Sequence, residues 1–379
     1  MSRLEELIAE LCPDGVEYKE LKDILTIKNG RDYKEFGAGD IPVYGSGGII
    51  TYIDTYAYDK PSVLIPRKGS IDKLYYVDIP FWTVDTIFYT VIKSDIVIAK
   101  FVYYFLETQS IERLNTGGGV PSLTQAVLNK VKIPVPPLPV QEEIVRILDK
   151  FTGLTAELTA ELAKRKQQYQ YYRINLLQIE KNDIRTIGDV CKFQNGFAFK
   201  SNLFKEEGKP ILRIVNIKND RIILDNVVFF NLSDYRENLE QFIVRNGDFV
   251  VAMSGATTGK VGINYTGREL FLNQRVGMFI AYENIIHRRY LYHFLVAHSE
   301  AIYQMASGSG AQPNLSSETL KKMKIPVPPL EEQERIVAIL DRFDTLCNDL
   351  TSGLPAEIEA RKKQYKYYRD KLLTFKEAV

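Results

Sequence analysis

The sequence predicts an α+β chain: two mostly-β domains separated by two long antiparallel helices that pair as a coiled coil, in a pseudo-twofold arrangement. Three observations predict it. The block Lys-Ile-Pro-Val-Pro-Pro-Leu occurs twice, at Lys132–Leu138 and Lys324–Leu330. Each copy leads into an apolar-periodic stretch that ends in a Lys/Arg–Tyr cluster, the pattern of a long amphipathic helix. Each copy follows a stretch rich in β-branched and aromatic residues, punctuated by Gly, Asn and Asp.

The elements follow in chain order. The first β domain, residues 1–131, has strand-like runs at Ser62–Ile65, Tyr75–Val77 and Ile87–Val91. An aromatic helix at Tyr103–Leu106 precedes a Gly-rich turn, Gly117–Leu123. The first spacer, residues 132–180, carries a helix from about Gln141 to Leu177, because Pro136-Pro137 ends any earlier element. At ~1.5 Å per residue this helix is too long for a domain of this size, so it needs a second long helix as partner. The second β domain, residues 181–323, repeats the plan. Its strand-like runs are Ile211–Val215, Phe249–Met253 and Val276–Ala281, its aromatic helix includes Tyr292–Leu295, and its turn is Ser309–Leu315. The second spacer, residues 324–379, supplies the partner helix from Phe343 to Leu373.

The copies differ by one helical turn. Lys132 and Lys324 are 192 residues apart, whereas Tyr169 and Tyr365 are 196 apart. The first copy contains Thr-Ala-Glu-Leu twice, at Thr155–Leu158 and Thr159–Leu162. The second has Ser352-Gly353-Leu354-Pro355-Ala356 instead, and Pro355 predicts a break or kink.

The composition excludes several classes. Lys and Arg number 49 against 48 Asp and Glu, which argues against a histone-like protein but leaves room for a local basic stripe. Cys12, Cys191 and Cys347 are far apart and form no Cys-x-x-Cys, which argues against a disulfide framework or zinc site and for a reducing cytoplasm. The amphipathic start lacks the apolar core of a signal peptide, and no apolar run approaches a membrane span.

No catalytic site is found. Gly255–Val261 misses a phosphate loop by one residue of spacing and lacks the final Ser/Thr. Asp189, Glu207 and Lys209 have only a loose nuclease-like order, and His287, His293 and His298 do not share one ligand face. Polar loop residues are better candidates, since nucleic-acid readers need cations for phosphate and two-headed side chains for base edges. In the first domain these are Lys28, Asn29, Arg31, Tyr44, Arg67, Lys68 and Trp82. In the second they are Asn195, Arg213, Asn216, Lys218, Ser254, Thr257, Lys260, Asn273, Gln274 and Arg275. Solvated loops, and core packing for Trp82, are the plain alternatives.

Taken together, Lys-Ile-Pro-Val-Pro-Pro-Leu with its Glu/Gln cluster, tandem Thr-Ala-Glu-Leu, and Lys-x-Gln-Tyr-x-Tyr-Tyr-Arg resemble the specificity (S) subunit of Type I restriction–modification systems. The tandem resembles the Type IC branch. The resemblance covers nearly the whole chain. It implies a non-catalytic subunit with two target recognition domains, one for each half of a split, asymmetric sequence in double-stranded DNA. It also implies helices that set the gap and dock two methyltransferase (M) subunits, with restriction (R) subunits joining them. S-adenosylmethionine and ATP would then belong to the partners, with no cofactor in this chain. The helix residues expected to meet a partner are Gln141, Glu142, Tyr169, Tyr172, Glu332, Gln333, Tyr365 and Tyr368. The competing readings are a protein–protein scaffold that binds no DNA and a stand-alone methyltransferase or nuclease.

Overall fold

In both halves of the chain the repeated Lys-Ile-Pro-Val block begins as a β-strand. Lys132–Pro134 pairs antiparallel with Tyr18–Glu20, and Lys324–Val327 pairs antiparallel with Asp183–Thr186. Each β domain thus has its exit stitched to its entry. A two-stranded pair accommodates the prolines because each strand keeps an open edge that needs no donor. The computed structural model describes residues 3–115, 121–178, 183–218, 220–306, 313–349 and 351–378. The glycine-rich parts of both predicted turns, 117–120 and 309–312, lie outside the described residues. The fold divides into two compact units: residues 1–159 with 357–379, and residues 160–356.

Unit 1 has an antiparallel sheet in the order Leu25–Asn29, Ile87–Ile92, Ser62–Pro66, Tyr75–Val77. A smaller sheet joins Gly48–Ile53, Ile41–Gly45 and Trp82–Thr83. Helix α1, Ala99–Leu106, covers the first sheet and buries Phe101, Val102 and Phe105. Unit 2 has a larger sheet in the order Cys191–Asn195, Val276–Ala281, Phe249–Ala252, Val261–Ile263, Arg221–Ile222, Ile217–Lys218. Its second sheet contains Lys209–Leu212, where the expected Ile211–Val215 strand ends early. The cause is a tight turn at Ile214–Asn216, in which the Asn216 carboxamide oxygen accepts from the Arg213 N–H at 3.1 Å.

Helix α2 runs unbroken from Leu138 to Leu177, 40 residues, starting one turn before the expected Gln141. Helix α3, Arg288–Ala297, is the second aromatic helix. The second long stretch is two helices, α4 (Leu330–Asn348) and α5 (Leu354–Leu372). The break has local causes. The Asp349 carboxylate accepts from the Thr351 N–H and hydroxyl and from the Ser352 hydroxyl, turning the chain out of the helix. Pro355 then sits in the first turn of α5, where its missing N–H costs nothing. In unit 1 the start of α2 meets the end of α5, with Phe151 stacked on Tyr368 at 5.4 Å. In unit 2 the end of α2 meets α4, with Tyr169 and Tyr172 stacked on Phe343. Start against end and end against start is the order of an antiparallel pair.

Three residues expected to face a partner are instead interior. Gln141 is fully buried; its amide NH2 donates to the carbonyls of Ile96 and Pro136, and its oxygen accepts from Ile98 N–H. Gln333 repeats this with Ile285, Pro328 and His287. Tyr169 is 2% exposed and packs on Phe343 and the Arg173 guanidinium. The two glutamines, polar side chains that signal a surface, are here used to satisfy one backbone carbonyl of the Pro-Pro joint and two backbone groups at the entry to the aromatic helix.

His293, on α3, has no exposed side chain. Its Nε2 lies 2.7 Å from Asp341, and because an ionised carboxylate only accepts, Nε2 carries the proton. Nδ1 is then bare and faces the Tyr169 hydroxyl at 3.4 Å. Burial pulls its pKa down to about 4, so the ring is neutral near pH 7. The unfolded chain binds this proton more tightly, so the contribution is full above the unfolded value of ~6.5 and is lost as pH falls toward 4. Chemical denaturation of the full chain should show the unit 2 transition weakened by about 2 kcal/mol between about pH 7 and about pH 5. His293→Gln should remove that dependence.

Candidate nucleic-acid interface

The antiparallel register brings three strand ends to one rim in each unit. In unit 1, Asn29 pairs with Phe88 and Pro66 with Ile87, so the loops after Asn29, before Ile87 and after Pro66 are neighbours. In unit 2, Asn195 pairs with Gly277 and Ala252 with Val276, giving the same three loops. Main-chain bonds then fix the loops alike. Arg67 N–H donates to Thr86 and Leu123 N–H to Arg67; Met253 N–H donates to Arg275 and Leu315 N–H to Met253. Gly69 N–H donates to Pro121, and Gly255 N–H to Pro313. Lys68 bridges to Ser122, and Ser254 to Asn314. The helices that follow start from matching caps, Thr124 and Ser316, whose hydroxyls accept from Val127 and Thr319 N–H.

One close passage makes the rim possible. The Asn-Gly turns after the first strands run directly over the next loop's backbone. A Cβ on Gly30 would lie 2.1 Å from the Val84 carbonyl oxygen, and one on Gly196 would lie 1.9 Å from that of Asn273. Only glycine allows the crossing.

The frame is common and its side chains differ. Thr86 occupies the place of Arg275, and Lys68 that of Ser254. Lys28, Lys68, Asn195, Lys260, Gln274 and Arg275 are exposed, with side chains that make no hydrogen bond or ion pair among the described residues. Asn29 is exposed and its oxygen accepts from Gln125 Nε2 at 3.2 Å. Arg67 is half-buried over the Phe88 ring. Asn273 is half-buried, and its carboxamide oxygen accepts from Gln274 N–H. Thr257 and Ser254 line the turn that meets Ile214.

Other expected readers are engaged within the fold. Trp82 is 5% exposed; its indole N–H donates to the Arg31 carbonyl at 2.9 Å and its ring packs on Phe36, so it supports Arg31 from the core. Asn216 is 1% exposed, with its amide NH2 donating to Ile223 and Asp225 carbonyls. Both are corrected from readers to structural residues. Lys218 lies on the outermost strand, near Asp225, away from the rim loops. Arg213 donates to the Asn226 carbonyl, and Tyr44 packs among Tyr75 and Phe81. Sequence reading reached Thr86 within the Trp82–Thr86 stretch but missed Gln125 as a candidate for the site; its signal is the repeat itself, which places Gln125 one residue after a cap. On the helices, Glu142 and Tyr172 are exposed, Glu332 pairs with Arg335, Tyr365 donates to Glu107, and Tyr368 packs on Phe151.

Asp189, read as part of a loose nuclease-like order, accepts from Thr186 as a helix cap. Cys12, Cys191 and Cys347 are buried free thiols. Among the described residues no His/Cys/Asp/Glu group is placed to hold a metal, and no helix is long and apolar enough to cross a membrane. Two polar rims of one design, each on its own β fold and joined by long helices, define a chain built to recognise two things.

Comparisons with known proteins identify the family. The family model described as the Type I restriction modification DNA specificity domain matches residues 13–165 and again 179–360. A putative type I restriction enzyme specificity subunit of Haemophilus influenzae is 33% identical over 379 residues, covering 95% of this chain and 96% of that one. A type I restriction enzyme specificity subunit of Escherichia coli is 37% identical over 296 residues, covering 73% and 71%. The crystal structure of a Type I restriction–modification S subunit from M. genitalium shares the fold, with a TM-score of 0.63 at 17% identity over 95% of this chain and 96% of that one. The chain belongs to the Type I restriction–modification DNA specificity family, and its fold and function are those of a specificity subunit.

Gly196→Ala should force the Asn195 turn off the Asn273 backbone and cost about 1–3 kcal/mol. Thermal melting should show that loss in unit 2 while unit 1 melts unchanged.

Proposed function

We propose that each unit reads one half of a split, asymmetric site in double-stranded DNA through its rim. The helices set the gap between the half-sites and dock two M subunits, and R subunits join that assembly. The observation that carries the reading is the duplicated rim, in which one backbone frame presents different polar side chains. A fixed frame holds a reader at the same depth in the groove, and the side chains then choose the bases. Lys28, Lys68 and Lys260 supply phosphate contacts, and Asn29, Asn195, Gln274 and Arg275 supply base contacts. Arg31, held by Trp82, and Arg67 complete the unit 1 face. Glu142 and Tyr172, on exposed helix surface, are the residues offered to M subunits.

The chain performs no chemistry itself; S-adenosylmethionine and ATP are used by the partners, in the cytoplasm. The tandem Thr-Ala-Glu-Leu supports a Type IC reading, in which the number of units tunes the gap. Four residues add ~6 Å of helix, against ~3.4 Å per base pair.

Two maps of methylated adenines, in cells expressing the chain with its M partner, test this. Arg275→Ala should relax one position of the second half-site, by about 1–3 kcal/mol of discrimination, and leave the first intact. A third Thr-Ala-Glu-Leu after Leu162 should lengthen the gap with both half-sites unchanged. A changed half-site in that insertion variant would refute the spacer role.

A further inference from the structure

Unit 2 holds a buried ionic cluster between its helices and its larger sheet. From α4, Asp344 accepts from Arg221 at 2.8 Å and from Arg289 at 3.0 Å, and Asp341 accepts from Arg289 at 2.6 Å and from His293. From α2, Arg173 donates to Asp220 at 3.1 Å while stacking on Tyr169. The Tyr292 hydroxyl donates to the Asp220 carbonyl at 2.8 Å. Asp344, Arg173 and His293 are all nearly inaccessible to solvent. The cluster therefore ties α2, α3 and α4 to the turn at Asp220–Arg221. Arg221 pairs with Ile263, at the opposite end of that strand from the rim loop Ser254–Lys260.

Unit 1 has the same seat in a lighter form. The repeat places Lys100, Tyr104 and Asp149 where unit 2 has Arg289, His293 and Asp341. Tyr104 and Lys100 both donate to Asp149, and the Lys100–Asp149 pair is about one-third exposed. Tyr365 and Arg369, the counterparts of Tyr169 and Arg173, meet Glu107. Thr152 stands where unit 2 has Asp344.

Such a cluster is a poor source of stability. Burying several charges costs about as much as their attraction returns. Arg173 Nε and Nη2 and Arg289 Nη1 also find no hydrogen-bond partner among the described residues. What a directional network supplies is one geometry, since each guanidinium plane and carboxylate fits in only one arrangement.

We propose that Asp341 and Asp344 are positioning residues that lock the unit 2 sheet at one angle on its helices, so that the second half-site is met at one spacing only. The proposal rests on the split-site reading above. The cluster acts at the end of the sheet away from the rim, so it touches no base and governs only where the rim points. A looser seat lets the same rim reach a half-site displaced by one base pair.

The test maps methylated adenines in cells making the M partner with the natural chain, Asp344→Asn, or the double variant Arg289→Lys with His293→Tyr. The double variant installs unit 1's own pair opposite Asp341. Both half-site sequences should stay unchanged. Methylation at gaps one base pair longer or shorter, relative to the natural gap, should rise at least about fivefold. Folded variants whose ratio stays near the natural one overturn the proposal. A changed base preference in the second half-site also overturns it, because the cluster would then take part in reading. If Asp344→Asn does not accumulate, the double variant decides; its own failure to accumulate overturns the proposal too, since the seat would then be needed for folding. A natural chain that directs no split-site methylation instead refutes the function proposed above and is distinguishable from all of these.

Discussion

The buried glutamine after each Pro-Pro joint is the contact on which the rest of the molecule depends. Gln141 and Gln333 each join three backbone groups: a carbonyl in the joint, and a carbonyl and an N–H at the entry to the aromatic helix. Without that amide, three buried polar groups would lose their partner, each at about 1–3 kcal/mol. The glutamine thereby fixes where the long helix leaves the β domain. The same joint ends the strand that stitches entry to exit, so one residue couples strand, helix and core in each unit.

On that base the two units solve one problem twice. The rim needs three loops held at constant depth, and main-chain bonds between them do this without involving side chains. Side chains on the rim are therefore free to differ, as Thr86 differs from Arg275 and Lys68 from Ser254. The Asn-Gly turns are the exception. Gly30 and Gly196 pass so close to a carbonyl that no other residue fits. A frame fixed by backbone lets the side chains on it vary without disturbing the fold.

The units differ most in how the β fold is seated. Unit 1 uses a tyrosine and a lysine on Asp149, and a second tyrosine and an arginine on Glu107, partly in contact with solvent. Unit 2 uses three carboxylates, three arginines and a neutral histidine, with Asp344, Arg173 and His293 enclosed and Asp341 and Asp220 at its edge. The heavier seat goes with a larger sheet whose outer strands, Arg221–Ile222 and Ile217–Lys218, extend beyond anything in the unit 1 sheet. Neither seat contains a reactive cysteine, and burial drives the Cys191 thiol up to about 12, so it stays protonated.

The sequence by itself determined the duplication, the long first helix, the break at Pro355, most strands and the polar loops. These follow from local signals: a period of 3.6 or 2, proline's missing donor, and glycine's freedom at turns. It placed Asn29, Lys68, Asn195 and Arg275 among the candidates, because loop cations and amides announce themselves by type. Burial is not written that way. Gln141, Gln333 and Asn216 are polar residues that sequence alone assigns to a surface, Tyr169 and Trp82 are amphipathic residues that it leaves between surface and core, and the fold encloses each of them. Only the tertiary structure decided this, since the groups they satisfy lie in segments distant along the chain, and a side chain's partners are set by which strands and helices come together.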